Sequence, residues 1–402
     1  MVFLKKLNID RLLYNHSVDM SLFKKAENGS LNNFPEIRKN DINGLQTPFF
    51  LIDQSIITAR YELIKKNLTK NWGTKNIIAY SFKTNYEIAG EFKKQKIEIY
   101  AEVVSKMEYQ KAKTAGYTDS QIIYNGPNKE NLLEVLKYPI MINLDNFTEL
   151  ETIIKHRKNI KSTIGLRLNS ELKPSRFGFN MENGEAELVI KKIKKAGIKI
   201  SGLHIHLGFF TPPKTYKLIS KKIINFIQDN NLDLEYIDFG GGFPSHGNKP
   251  YGYKKLPYRP INDYVLQIYK PLNNFYRNKN KPFLIVEPGR FLVDDSTVLI
   301  SKVLDVKTDK KNQKIISDAT NNMLSSVWFR PQIIKIFNIK SRKKISTTIY
   351  GSSCQEDDIL YQGKLPTIKV GDLVIFYCVG AYNQNMNGGF IFSKTRHFFK
   401  KN

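Results

Sequence analysis

Lys83 ends an apolar run, Asn76-Ile-Ile-Ala-Tyr-Ser-Phe-Lys83, that reads as a buried strand with Thr84-Asn85 and a helix behind it. Burial at the C-terminal tip of an inner strand lowers the pKa of an ammonium and frees its amine for Schiff-base chemistry. Gly240-Gly241-Gly242 follows the apolar run 234–239. It reads as an anion cradle, because glycine lets backbone N–H groups come close to a phosphate, with a plain tight turn as the alternative. Glu287 closes the run 283–287. A carboxylate there is costly to bury alone and calls for a cation, either Arg290 or a protonated ring nitrogen. His204 and His206 share one face of an alternating strand. A metal pair at that spacing lacks a third ligand, so no metal is expected, and an imidazole lying on a flat ring is the other use. Amine, phosphate cradle, ring-nitrogen carboxylate and stacking imidazole together match the parts of pyridoxal 5′-phosphate (PLP).

These residues need a scaffold that brings strand ends together. Strand-like apolar runs recur at 76–83, 98–104, 122–125, 140–144, 163–169, 200–207, 234–239 and 283–287, mostly with helical periodicity between them. That alternation predicts an α/β fold, a (β/α)₈ barrel, with function collected at the C-terminal ends of its strands. Lys83, Glu102, Ser105, Arg167, Asn169, His206, Gly240 and Glu287 all fall at such ends. After Arg290 the rhythm gives way to strand and turn, which predicts a second, mostly β domain. The expected division is an N-terminal extension over 1–46 packing on the β domain, the barrel over 47–290 and the β domain over 291–402.

Composition narrows the class. The chain has 402 residues, enough for two domains, with 41% hydrophobic and 25% charged residues and no apolar stretch of membrane-spanning length. The N-terminus carries charge inside its apolar part and does not read as a signal peptide. Two cysteines, Cys354 and Cys378, rule out a disulfide framework and suit a reducing, cytoplasmic setting. The net charge of +26 comes from 63 basic and 37 acidic residues. Scattered lysines without an arginine-rich block or a nucleic-acid-binding signature attribute it to coding bias rather than to nucleic acid.

From Thr47 to Arg396 the chain resembles the fold type III PLP-dependent decarboxylases, the group that contains ornithine, diaminopimelate and arginine decarboxylases. The matching motifs are Thr47-Pro48, Tyr80-Ser-Phe-Lys83-Thr-Asn85, Glu102-Val-Val-Ser105, Arg176-Phe-Gly178, His206-Leu-Gly208, Gly240-Gly-Gly-Phe243, Glu287-Pro-Gly-Arg290, Gly351-Ser-Ser-Cys354, Gly371-Asp372 and Gly380-Ala-Tyr382. The resemblance implies that Lys83 binds the cofactor covalently and that His206 stacks on its ring. It implies that Gly240, Gly241, Gly242 and Arg290 hold the phosphate with help from Tyr382, and that Glu287 keeps the ring nitrogen protonated. Cys354 would come from a second subunit and reprotonate the substrate Cα, which makes the enzyme a homodimer with shared active sites. Glu287 favours a decarboxylase over a racemase on the same barrel, because a protonated pyridine is the stronger electron sink. A non-catalytic PLP or RNA binder is the third reading.

The chain departs from the family pattern in three places. Phe209 stands where a phosphate-binding serine is usual, Ser326 stands near where diaminopimelate decarboxylases carry a substrate arginine, with Arg330 displaced, and Asn383–Phe392 replaces an aromatic segment. The substrate is expected to be a basic or diamino acid, or a derivative, of polyamine, lysine or siderophore synthesis. Glu102, Arg167, Asp318, Glu356 and Asp357 are the candidate substrate contacts.

Overall fold

In the computed structural model the described residues are 34–208, 211–245, 259–309, 311–328, 330, 332–339 and 344–400. Phe209 therefore lies outside them. The chain divides into two compact units, one made of 1–60, 245–258 and 291–402 and the other of 61–244 and 259–290.

The second unit is the barrel. After β1 (Phe49–Ile52) come β2 (Asn76–Ser81), β3 (Tyr100–Val103), β4 (Ile122–Tyr124), β5 (Met141–Leu144), β6 (Thr163–Asn169), β7 (Phe179–Asn180), β8 (Gly202–Ile205), β9 (Tyr236–Asp238) and β10 (Phe283–Val286). All pairings from β2 to β10 are parallel, and β10 returns to pair with β2, so eight strands close on themselves with the short β7 appended to β6. Each of the eight expected strands is present, although the first stops at Ser81 and Lys83 sits in a 3₁₀ turn just beyond it.

Local chemistry explains the helices between them. Asn85, Ser105 and Asn146 each cap a helix by accepting from the backbone N–H of Glu87, Glu108 and Glu149. The helix Glu185–Lys195 buries Ala186, Val189, Ile190 and Ile193 on one face, with glutamates in its first turn and lysines in its last, matching the helix dipole. Inside the barrel, Ile77, Ala79, Ile123, Tyr236 and Ile285 form an apolar layer. Tyr236 fits only because its neighbours on β6 and β8 are glycine: a Cβ on Gly165 would lie 2.1 Å from the phenol oxygen, and one on Gly202 2.1 Å from the ring.

The other unit is built on β11 (Thr297–Thr308), β12 (Asn312–Ser317), β13 (Ile333–Ile336), β14 (Lys344–Tyr350), β15 (Ile359–Pro366), β16 (Leu373–Tyr377) and β17 (Arg396–Phe399). β1 joins this sheet, antiparallel to β11 and parallel to β17, which corrects the expected start of the barrel at residue 47. Its four residues are all buried, Phe50 in one core and Phe49 and Leu51 in another, so the strand satisfies both faces of this sheet. Phe34, Ile37, Ile42 and Leu45 pack on the second of these cores. No helix among the described residues is long and apolar enough to cross a membrane.

Candidate active site

At the C-terminal mouth of the barrel one hydrogen-bonded net joins three of the expected residues, Lys83, Glu102 and Glu287. Lys83 Nζ lies 2.5 Å from Glu102 Oε2, and Ser81 Oγ donates to the same oxygen at 2.6 Å. The side chain of Asn125, directly after β4, donates through Nδ2 to Glu102 Oε1 at 3.3 Å and to Glu287 Oε1 at 2.6 Å. Glu287 in turn lies 3.5 Å from the Nε2 of His204. Lys83 and Glu287, far apart in sequence, are thus joined in space by three hydrogen bonds through Glu102 and Asn125.

Glu287 is fully buried beside Asp238, the last residue of β9. Burial pushes both carboxyls up. For Glu287 the neighbouring His204, Lys83 and Asp238 outweigh burial and hold it well below the usual carboxylate range. For Asp238 the charge of Glu287 adds to burial and pushes it well up. The shifts run in opposite directions, so Glu287 is the member of the pair that ionises more readily. His204, Asp238 and Glu287 are close enough to hold a cation. His206 is not part of this group, so the expected absence of a His204–His206 metal pair is left as it stood.

His206 follows β8. Burial lowers its pKa to about 3, so its ring is neutral near pH 7, and its Nδ1 accepts from the N–H of Gly241 at 3.2 Å. The glycine loop after β9 is shaped by close approach. Gly240 has φ +60° and Gly242 φ +88°, a Cβ on Gly240 would lie 2.7 Å from His206 Nδ1, and one on Gly241 would lie 2.3 Å from the Glu287 carbonyl oxygen. Gly240 N–H donates to Asp238 Oδ1 at 2.8 Å. A neutral imidazole, a tight glycine loop, an ionised buried carboxylate and a lysine at one mouth fit PLP. His204 adds two buried ring nitrogens without a hydrogen bond among the described residues.

Other candidates prove to be engaged elsewhere. Arg167 donates to Asp145 Oδ2 at 2.9 Å and lies over the Phe177 ring, while Asp145 also accepts from the N–H of Gly178. The Arg176-Phe-Gly178 motif thus closes around Arg167. In the other unit Asp318 accepts from Thr47 Oγ1, Ser301 Oγ and the N–H of Lys302, so it fastens the Thr47-Pro48 motif to the sheet. Arg330 is buried in a two-pronged pair with Asp294 at 2.8 and 3.0 Å, and Asp294 also accepts from the N–H of Ala381. Arg330 therefore anchors the Gly380-Ala-Tyr382 turn, where Tyr382 has φ +71°. Cys354, Glu356 and Asp357 are exposed on the turn between β14 and β15. The buried acid there is Asp358, which accepts from the N–H groups of Asn321 and Ser353.

Asn125, Asn143, Asp238 and Tyr236 were not singled out as site residues from sequence. The one available signal was position: Asn125 and Asp238 end their strands where the candidates do.

The model for the pyridoxal binding domain of pyridoxal-dependent decarboxylases matches residues 56–294. Diaminopimelate decarboxylase from Buchnera aphidicola (subspecies Schizaphis graminum) is 28% identical over 383 residues, 87% of this chain and 87% of its own. The enzyme of that name from Methanocaldococcus jannaschii is 26% identical, covering 85% of this chain and 83% of its own. Among solved structures, diaminopimelate decarboxylase from Helicobacter pylori in complex with L-lysine superposes with a TM-score of 0.76 at 25% identity, covering 90% of this chain and 93% of that one. Arginine decarboxylase of Paramecium bursaria Chlorella virus shares the fold, with a TM-score of 0.74 at 19% identity over 89% of this chain and 97% of that one. The chain belongs to the pyridoxal-dependent decarboxylase family, enzymes that use pyridoxal 5′-phosphate to remove the carboxylate of an amino acid.

Proposed function

We propose that this decarboxylase acts on a diamino acid, with diaminopimelate the first candidate, and that Lys83 is the residue that binds the cofactor. The observation that carries the reading of the site is the net Lys83, Glu102, Asn125, Glu287, which joins a lysine amine and a buried carboxylate at one mouth of the barrel. Relatives of near-equal length that bear the name diaminopimelate decarboxylase support this choice of substrate.

When bound, PLP supplies the electron sink for the charge left at Cα as CO₂ departs. Lys83 would hold the cofactor's aldehyde end covalently. Glu287 would accept a hydrogen bond from the ring nitrogen and keep that nitrogen protonated. His206 would pack on the ring, and the N–H groups of Gly240–Gly242 with Arg290 would hold the phosphate. Tyr382 would help at the phosphate site, and Cys354, from the partner subunit of a homodimer, would return a proton to Cα. The exposed apolar side chains Trp328, Met386, Phe390 and Ile391 favour such an assembly. Because Arg330 is committed to Asp294, it is not the group that meets a distal carboxylate. Two cysteines outside any disulfide agree with a cytoplasmic enzyme.

The test is borohydride reduction of the PLP-loaded protein with peptide mapping, followed by a screen for CO₂ release from diaminopimelate, lysine, ornithine and arginine. The expected result is label on Lys83 and release from diaminopimelate. Label on another lysine defeats the site. Inversion of a single enantiomer without CO₂ defeats the activity. Release from ornithine or lysine alone moves the substrate.

A further inference from the structure

We infer that Asn125 is a positioning residue for the decarboxylation, held in orientation by Asn143 and Tyr236, and that it sets the charge state of the cofactor pocket. The inference rests on the roles proposed above for Lys83 and Glu287. Asn125 Nδ2 faces two carboxylates, Glu102 at 3.3 Å and Glu287 at 2.6 Å, and each offers an acceptor. Its Oδ1 must then point away, where it accepts from Asn143 Nδ2 at 2.8 Å. That in turn leaves Asn143 Oδ1 as acceptor for the phenol of Tyr236 at 2.7 Å. An amide normally has two orientations of similar density and energy. Here the carboxylates at one end fix Asn125, Asn125 fixes Asn143, and the Tyr236 phenol, able to donate or accept, donates to the oxygen left over.

The column runs through the barrel interior, with Asn125 and Asn143 almost wholly buried and Tyr236 seated over Gly165 and Gly202. A buried amide donating to a buried carboxylate favours its ionised form. Asn125 does this for Glu287 and also meets Glu102, the carboxylate beside Lys83. It therefore links the lysine end of the pocket to the ring-nitrogen end without adding charge. A third carboxylate in its place would repel both, and an apolar side chain would leave Glu287 and Asn143 each short of a partner.

The test uses full-length enzyme loaded with PLP, comparing wild type with Asn125→Ala and Tyr236→Phe. The readouts are the PLP dissociation constant, the pH midpoint of the bound cofactor's visible absorption change, and the thermal midpoint of the cofactor-free protein. Asn125→Ala is expected to weaken PLP by about tenfold or more, the scale of a lost hydrogen bond to a charged group, and to move the pH midpoint. Tyr236→Phe, which removes only the far end of the column, is expected to shift both in the same direction by less, and it carries the test where Asn125→Ala does not fold. Variants that change the thermal midpoint alone, with PLP affinity and pH midpoint within about twofold in affinity and a tenth of a unit of wild type, reduce Asn125 to packing and overturn the inference. If wild type itself binds no PLP at Lys83, the proposed site fails instead, and the two failures are distinguishable.

Discussion

Glu287 owes its charge to its neighbours rather than to solvent. Glu287→Gln keeps the shape and the contact with Asn125 Nδ2 through its amide oxygen but removes the negative charge. The expected outcome is a fall in kcat of about 100-fold or more with PLP still bound, measured with cofactor occupancy checked by absorbance. Unchanged kcat would show that the ring nitrogen finds its partner elsewhere. His206 gives a second expectation, about acid stability. Its folded-state pKa of about 3 lies below the ordinary value of 6.5, and burial is the chief cause. As pH falls from 6.5 toward 3 the unfolded chain takes up a proton that the folded chain refuses, so stability declines over that window. Cofactor-free His206→Asn protein should lose this part of the slope. Urea midpoints measured from pH 7 to pH 4 check it, and parallel curves for the two proteins would sink it.

Elements explain why parts of this site were legible in sequence and others were not. Strand ends announced themselves, because apolar runs closed by Lys83, Gly240 or Glu287 break a buried pattern with residues that buried strands do not otherwise carry. Asn125 and Asn143 were silent, since an amide at the end of a short strand reads as ordinary turn chemistry until its partners are known. The domain boundary at residue 47 hid the place of β1 for a different reason: Phe-Phe-Leu-Ile fits any fully buried strand, and only pairing to β11 and β17 decides. β13, β15 and β17 went unread because they are short, interrupted by Gly363 and Pro366, or half-exposed. The glycines under Tyr236 make a prediction at this scale. Gly202→Ala forces a methyl group to within 2.1 Å of the ring and should cost about 1–3 kcal/mol through overpacking, read as a lower denaturant midpoint. In the β unit, Arg330→Met leaves Asp294 buried without its pair and should cost about 3–5 kcal/mol by the same measurement.

At the scale of the whole molecule, the proposed roles divide between the two units: Lys83 and Glu287 in the barrel, Cys354 and Tyr382 in the β unit. If partner subunits complete each other's sites, Lys83→Ala and Cys354→Ala proteins, each nearly inactive, should regain activity on mixing. Random exchange puts half of the dimers in the mixed form, each with one intact site, so about a quarter of wild-type activity is expected. An assay after co-refolding or prolonged mixing checks this. No recovery, with subunit exchange shown independently, places Cys354 with the Lys83 of its own chain. The mount of Cys354 bears on how this enzyme could change its diet. Asp358 closes the base of the turn through Asn321, Ser353 and a Gly351 that sits against it, while positions 354–357 project outward. The turn is therefore an interchangeable cassette on a fixed socket. Around a fixed Cys354, its tip at 355–357 can be rewritten by selection or by grafting while the strands that carry it keep their register.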